Sequence, residues 1–205
     1  PRAWKDRALH LMADRIESRR DVILEANARD LERGREAGTS AAMLDRLKLD
    51  EARVEALALA LETLAGLPDP VGTVVRGGPL PNGVRMSQVR VPLGVVGAVY
   101  EARPNVTVDI AGIALKSGNG VILRGGSAAE STNAVLIQVL REALVDQGFD
   151  PNAGDWDLYL NGDEIVKFVR ESAATLRAHG FVVLLPRAWA TAETASKLKV
   201  SEHQD

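Results

Sequence analysis

A short, almost unbroken apolar run, Val95 to Tyr100 in VPLGVVGAVYEA, constrains this chain more than any other feature. A strand without polar alternation belongs in a sheet covered on both faces, the usual setting of parallel strands. The residues after it have the matching order: a helix over about 106–116, a second apolar strand from Val121 to Leu123, and a helix from Ser127 to Gln147 stopped by Gly148. Strand, helix, strand, helix in ~50 residues is the pattern of a parallel sheet with right-handed crossovers. The expected class is therefore α/β.

The chain ahead of this unit reads as helical. Apolar residues recur at Ala8, Leu11, Met12, Ile16, Val22, Ile23 and Ala26 with charges between them, predicting a helix from Ala3 to about Arg35, broken near Ser18 and ended by Gly34 and Gly38. Ser40 can cap a short helix through Leu47, and Asp50 a longer one carrying Val54, Leu57, Leu61 and Leu64. Two alternating strands should then flank Pro79-Leu80-Pro81-Asn82-Gly83, whose Asn-Gly pair suits a turn with positive φ.

In an open parallel sheet the ligand site lies at the carboxyl ends of the strands, and each strand here ends in a polar turn. After the second comes Arg124-Gly125-Gly126-Ser127. Two glycines let a backbone approach a ligand, a helix start supplies unpaired N–H groups, and Arg124 adds a fixed cation. It reads as an anion cradle or as a plain turn, and it lacks the G-x-G-x-x-G spacing of a dinucleotide fingerprint. After the first strand comes Glu101-Ala102-Arg103-Pro104-Asn105, with Pro104 suited to a helix's first turn. Arg103 and Asn105 stand where donors stabilise an oxyanion or hold a carboxylate; equally, Asn105 and Thr107 could simply cap the helix.

Composition narrows the chemistry. A net charge of −3 on 205 residues gives no electrostatic case for nucleic acid or a membrane surface, and no apolar run approaches a membrane span. The charged opening PRAWKDRALH is not a secretory signal, so a cytoplasmic location is expected. Zero cysteines exclude disulfides, thiolate metal sites and cysteine nucleophiles, and no metal is expected. Of three histidines, His10 lies on the first helix and His179 and His203 lie near the end.

The segment VPLGVVGAVYEARPNVTVDIAGIALKSGNGVILRGGSAA, with ILEANARDLERGREAG, AAMLDRLKL and LPDPVG in the same order, resembles the gamma-glutamyl phosphate reductase (glutamate-5-semialdehyde dehydrogenase) family of proline biosynthesis over about residues 3 to 149. The resemblance implies an aldehyde dehydrogenase superfamily fold: N-terminal helices, then a partial Rossmann-like parallel sheet. It also implies NADPH-dependent reduction of gamma-glutamyl phosphate, with NADP(H) as cofactor. Asn105 matches the asparagine that donates to the acyl oxygen. Arg124, Gly125, Gly126 and Ser127 match the segment contacting the nucleotide ribose and phosphate. Arg103 is implied as an anion-binding, substrate-side residue, while Lys116 fits that role or packing. The family's chemistry needs a cysteine thiolate from a later domain, so this chain is expected to be incomplete and inactive alone.

Past residue 149 the composition shifts. Only Trp4 and Tyr100 of the eight aromatics come earlier; Phe149, Trp156, Tyr159, Phe168, Phe181 and Trp189 crowd the end. The expected organisation is a nucleotide-binding domain over 1–149, a linker over 150–155, and an added strand-helix-strand tail over 156–205, made of WDLYL, a helix from Asp163 to Ala178 and FVVLL. The tail weakly resembles the region ahead of the motor in Swi/Snf-type helicases and carries no nucleotide-binding motif. Besides the reductase reading stand a structural or interaction protein or chimera in which the tail strands complete the sheet, and a helicase-associated module. A homo-oligomer is compatible with the sequence and not specified by it.

Overall fold

The computed structural model describes residues 2–146 and, in the tail, the backbone of 182–184. Helix α1 (Arg2–Ser18) and helix α2 (Arg20–Glu36) are separated at Arg19, which leaves helical geometry at φ −106°, ψ 16°, so the predicted break near Ser18 is present. Gly34 does not end α2 as expected but lies inside it. A Cβ there would come within 2.9 Å of Leu44 Cδ2, so the glycine admits the next helix. That helix, α3 (Ala41–Leu47), is capped by the Ser40 hydroxyl, which accepts from the Met43 amide. Helix α4 (Glu51–Gly66) is capped by Asp50, which accepts from the Arg53 amide at 3.0 Å.

Strands β1 (Val74–Pro79) and β2 (Arg85–Val89) form an antiparallel ribbon. Its turn has the expected positive φ, taken by Gly83 (85°), whose amide donates to the Leu80 carbonyl at 2.9 Å. Pro81 and Asn82 thus form an ordinary turn, with Gly83 as the left-handed residue after it. The alternation of β1 and β2 does not bury one face, because nearly every ribbon residue is exposed.

The predicted parallel unit is present as β3 (Val95–Val99), α5 (Pro104–Lys116), β4 (Gly120–Arg124), a 3-10 turn (Ser127–Ala129) and α6 (Glu130–Asp146). Strands β3 and β4 pair in parallel from Val95↔Gly120 to Val99↔Arg124. Val121 and Leu123 of β4 share one apolar core with Val108 of α5, Leu136 and Leu140 of α6, Leu9 and Ile16 of α1, and Leu61 of α4. Among the described residues only this helix-covered face is closed; Val99 is 80% exposed, so the apolar run that suggested two covered faces is sealed on one. Backbone 182–184, strand β5 (Val182–Leu184), pairs antiparallel with β4, Leu123↔Val182 to Val121↔Leu184. The FVVLL strand therefore joins the sheet at these residues. WDLYL, the helix expected over 163–178 and the Gly148 stop lie outside the described residues.

One ionic cluster ties the helices together at the end of the sheet opposite the strands' carboxyl termini. Lys5 Nζ donates to Asp69 Oδ1 at 2.6 Å and to the Lys116 carbonyl at 3.0 Å. Lys116 Nζ donates to Asp6 Oδ1 at 2.5 Å and to the Ala65 carbonyl at 2.9 Å. Lys116, only 4% exposed, is thus a packing residue that joins the carboxyl ends of α5 and α4. Burial works against the Asp6 and Asp69 carboxylates, but their lysine partners more than offset it and hold both below the usual aspartate range.

Candidate functional site

The in-register pair Val99↔Arg124 sets the two polar turns side by side at the carboxyl edge of the sheet. The Tyr100 amide donates to the Arg124 carbonyl at 3.1 Å, extending the ladder one step into the turns. Arg124 is half-buried, and its Nη1 donates to the Gly125 carbonyl at 2.5 Å. The glycines serve the contact between the turns. A Cβ on Gly125 would lie 2.2 Å from Asn133 Nδ2 and 3.3 Å from Tyr100 Cε2, and one on Gly126 would lie 3.3 Å from the Glu101 carbonyl carbon. Close approach is therefore required, but by protein rather than by a ligand on that side.

The helix start departs further from the cradle expected. Ser127 opens a 3-10 turn whose cap position is Gly126, with no side-chain bond. The first amides of α6 are taken by Asp30, a carboxylate of α2 that is 1% exposed. It accepts from Ser131 N at 3.1 Å, Thr132 N at 2.7 Å and Thr132 Oγ1 at 2.6 Å, and pairs with Arg33. The positive end of α6 is thus capped from within. Asn27, one turn before Asp30, donates from Nδ2 to Thr132 Oγ1 at 3.2 Å and to the Leu47 carbonyl at 2.9 Å, and its Oδ1 accepts from Leu49 N at 2.7 Å.

A second polar chain supports the turns from beneath. Thr107 Oγ1 donates to Asn133 Oδ1 at 2.9 Å, so the single hydroxyl proton is used and the Tyr100 hydroxyl must donate to Thr107, at 2.6 Å. Asn133 Nδ2 is buried without a hydrogen-bond partner among the described residues. Thr107 therefore does not cap α5, and neither does Asn105: the cap position is Arg103, with no side-chain bond, and Pro104 fills the first helical position as expected. Instead Asn105 Nδ2 donates to Asp109 Oδ2 one turn on, at 3.1 Å. Burial raises the Asp109 carboxyl above the usual aspartate range, and the bond from Asn105 opposes the shift without cancelling it.

Arg103, Asn105 and Asp109 line a cleft of about 400 Å³ that is also lined by Asp45, Arg46 and Lys48 at the end of α3 and by Arg53 of α4. Arg103 and Asn105, singled out from the sequence, both line this cleft, whereas Arg46 of the same cleft, Asp30 and Asn133 were not singled out. A separate hollow of about 430 Å³ beside the ribbon, lined by Val71, Val91, Leu93, Val96 and Ile113, is almost wholly apolar and contains none of the predicted site residues.

With this geometry in place, comparison with known proteins is decisive. The gamma-glutamyl phosphate reductase of Kineococcus radiotolerans is 60% identical over 152 residues, 74% of this chain and 35% of that protein. The crystal structure of the Thermotoga maritima gamma-glutamyl phosphate reductase superposes with a TM-score of 0.68 at 43% identity, covering 71% of this chain and 35% of that one. This chain is a homologue of part of gamma-glutamyl phosphate reductase. The reductase of Leifsonia xyli subsp. xyli is 52% identical over 187 residues, 90% of this chain and 42% of that protein. The chain thus spans between 35% and 42% of the lengths of these reductases. A family model described as DUF3670, SNF2 helicase protein, matches residues 153–205. The Leifsonia match covers too much of the chain to stop at residue 149, so both comparisons reach into the tail.

Proposed function

We propose that this chain carries the cofactor-binding edge and the acyl-oxygen donor of a gamma-glutamyl phosphate reductase, serving NADPH-dependent reduction of gamma-glutamyl phosphate in proline biosynthesis. The observation that carries the reading is the parallel β3–β4 pair, which joins the Arg103–Asn105 and Arg124–Ser127 turns at one sheet edge in a chain 60% identical to a named reductase. The residues fit a nicotinamide dinucleotide with one restriction. Because Asp30 occupies the Ser131 and Thr132 amides, the start of α6 is not a phosphate site, and the cation that the turn brings to a ribose phosphate is Arg124. Gly125, Gly126 and Ser127 shape the turn that presents it. Bound there, the dinucleotide supplies the hydride.

The substrate belongs in the cleft. An asparagine amide carries two N–H donors, so Asn105 can bond Asp109 with one and an acyl oxygen with the other, and Asp109 fixes the plane of that amide. Arg103 attracts the anionic substrate to the same wall. The thiolate that would carry the acyl group is not among these residues, which contain no cysteine. A cytoplasmic setting accords with this chemistry, and among the described residues no helix is long and apolar enough to cross a membrane.

Calorimetric titration of NADPH into the wild type and Arg124→Ala tests the cofactor half. A dissociation constant on the order of 0.1–1 mM is expected for a site holding the adenosine half alone. Losing one charge-assisted contact should cost roughly 1.5–3 kcal/mol and remove measurable binding. Equal binding by both proteins rejects the site. The pairing of β5 on β4 favours a second reading, a scaffold in which the 156–205 tail finishes the sheet after a boundary near residue 149. Chains truncated after residue 146 that are as stable as the full chain reject it. The 153–205 family match raises a third reading, which salt-sensitive DNA binding by the full chain would support.

A further inference from the structure

The cleft is lined by more positive charge than its own acids neutralise. Arg53 is committed to the fold, donating to the Asp45 and Lys48 carbonyls at 2.6 and 2.7 Å and to Asp45 Oδ1 at 3.0 Å. That geometry consumes Asp45, Lys48 pairs with Asp50 at 3.5 Å, and Asp109 accepts from Asn105. Arg46 and Arg103 remain: both are exposed, both line the cleft, and neither meets a carboxylate among the described residues. They come from different elements, Arg46 from α3 and Arg103 from the cap of α5. Two arginines from different elements lining one hollow favour a ligand with two anionic groups, since each can form paired bonds to a carboxylate or phosphate.

We infer that Arg46 is a specificity residue of this cleft, the anchor for the far carboxylate of a glutamyl ligand whose acyl end lies against Arg103 and Asn105. The direction rests on the reductase reading: Arg103 is two residues from Asn105, so the reacting end belongs at the start of α5 and the α-carboxylate at Arg46 of α3. Arg46 does not touch the reacting atoms. It selects a five-carbon diacid over a monoacid and sets its orientation along the cleft.

The test uses the 205-residue chain with glutarate as the two-ended probe and butyrate as the one-ended probe. Wild type should bind glutarate more tightly than butyrate. Arg46→Met should lower glutarate affinity roughly three- to tenfold, the range for an exposed to partly shielded ion pair, and leave butyrate affinity unchanged. Arg46→Lys should recover part of the loss, and Arg29→Met, which alters a distant α2 cation paired with Glu25, should match the wild type. Glutarate binding no tighter than butyrate binding, or equal in wild type and Arg46→Met, overturns the inference, as does an equal loss for both probes. NADPH titration of the same samples separates the two claims. Arg124-dependent NADPH binding with Arg46-independent glutarate binding sinks the inference alone, whereas Arg46-dependent glutarate binding without NADPH binding sinks the cofactor site alone.

Discussion

Replacing Asp30 with alanine should be the most damaging polar substitution among the described residues, although Asp30 lies on a helix about a hundred positions from the segment it holds. Its carboxylate satisfies the amides of Ser131 and Thr132 and the Thr132 hydroxyl at the start of α6. Thr132 is fully buried, so in Asp30→Ala its amide and hydroxyl have no water to turn to; each costs roughly 1–3 kcal/mol, while Ser131 N is partly wetted and costs less. Loss of the cap itself falls in the same sum. The expected destabilisation is about 3–5 kcal/mol, the range for removing one member of a buried charged network. Asp30→Asn keeps one acceptor oxygen and should lose about half of that. Urea unfolding followed by helical circular dichroism, fitted with a common slope, gives both values. A midpoint for Asp30→Ala within the error of wild type would refute the claim that α6 is capped from α2, and with it the reason for excluding a phosphate there.

The neighbouring contacts carry their own expected outcomes. Gly125→Ala puts a methyl 2.2 Å from Asn133 Nδ2, so it should cost about 1–3 kcal/mol by overpacking and weaken NADPH binding; Asn133→Ala in the same chain should recover part of the loss, and an unchanged Gly125→Ala would show that Gly125 does not pack against Asn133. Asp6 and Asp69 are held below their ordinary range in the fold, so they contribute stability that is present above the unfolded aspartate pKa and lost as pH falls through the lowered folded values. Lys116→Met should therefore flatten the acid limb of a stability profile below the unfolded aspartate value of about 3.9, and parallel limbs for the two proteins would contradict the pairing. The chain alone should show no reduction of gamma-glutamyl phosphate with NADPH, having no thiolate; turnover that tracks the protein and vanishes in Asn105→Ala would overturn that expectation.

The elements set by local chemistry were legible in the sequence. Ser40 and Asp50 cap the helices they precede, Pro104 opens α5, and the apolar periods of β3 and β4 mark the parallel pair. What escaped was set by contacts distant along the chain. Asn27 and Asp30 read as part of a solvated charged face, yet they continue the stripe of Ile23 and Ala26 at helical spacing, and all four are buried. A polar residue on an apolar stripe was the available signal for the α6 cap. No such signal existed for Asn133, whose meaning comes from Thr107 and Gly125 beside it. The ribbon misled in the opposite direction: alternation in β1 and β2 normally reports one buried face, and here neither face is covered among the described residues.

The central claim is that two turns, joined by the parallel β3–β4 pair, form one ligand-binding edge. Amide chemical-shift mapping of the nitrogen-15-labelled chain during NADPH titration tests it most directly. Shifts should concentrate at residues 124–127 and spread to the adjoining 100–103 turn, while the ribbon at 74–89 and the Lys5–Lys116 cluster stay still. Saturable shifts confined to the ribbon or to the apolar hollow beside it, with Arg124 through Ser127 unmoved, would contradict the account.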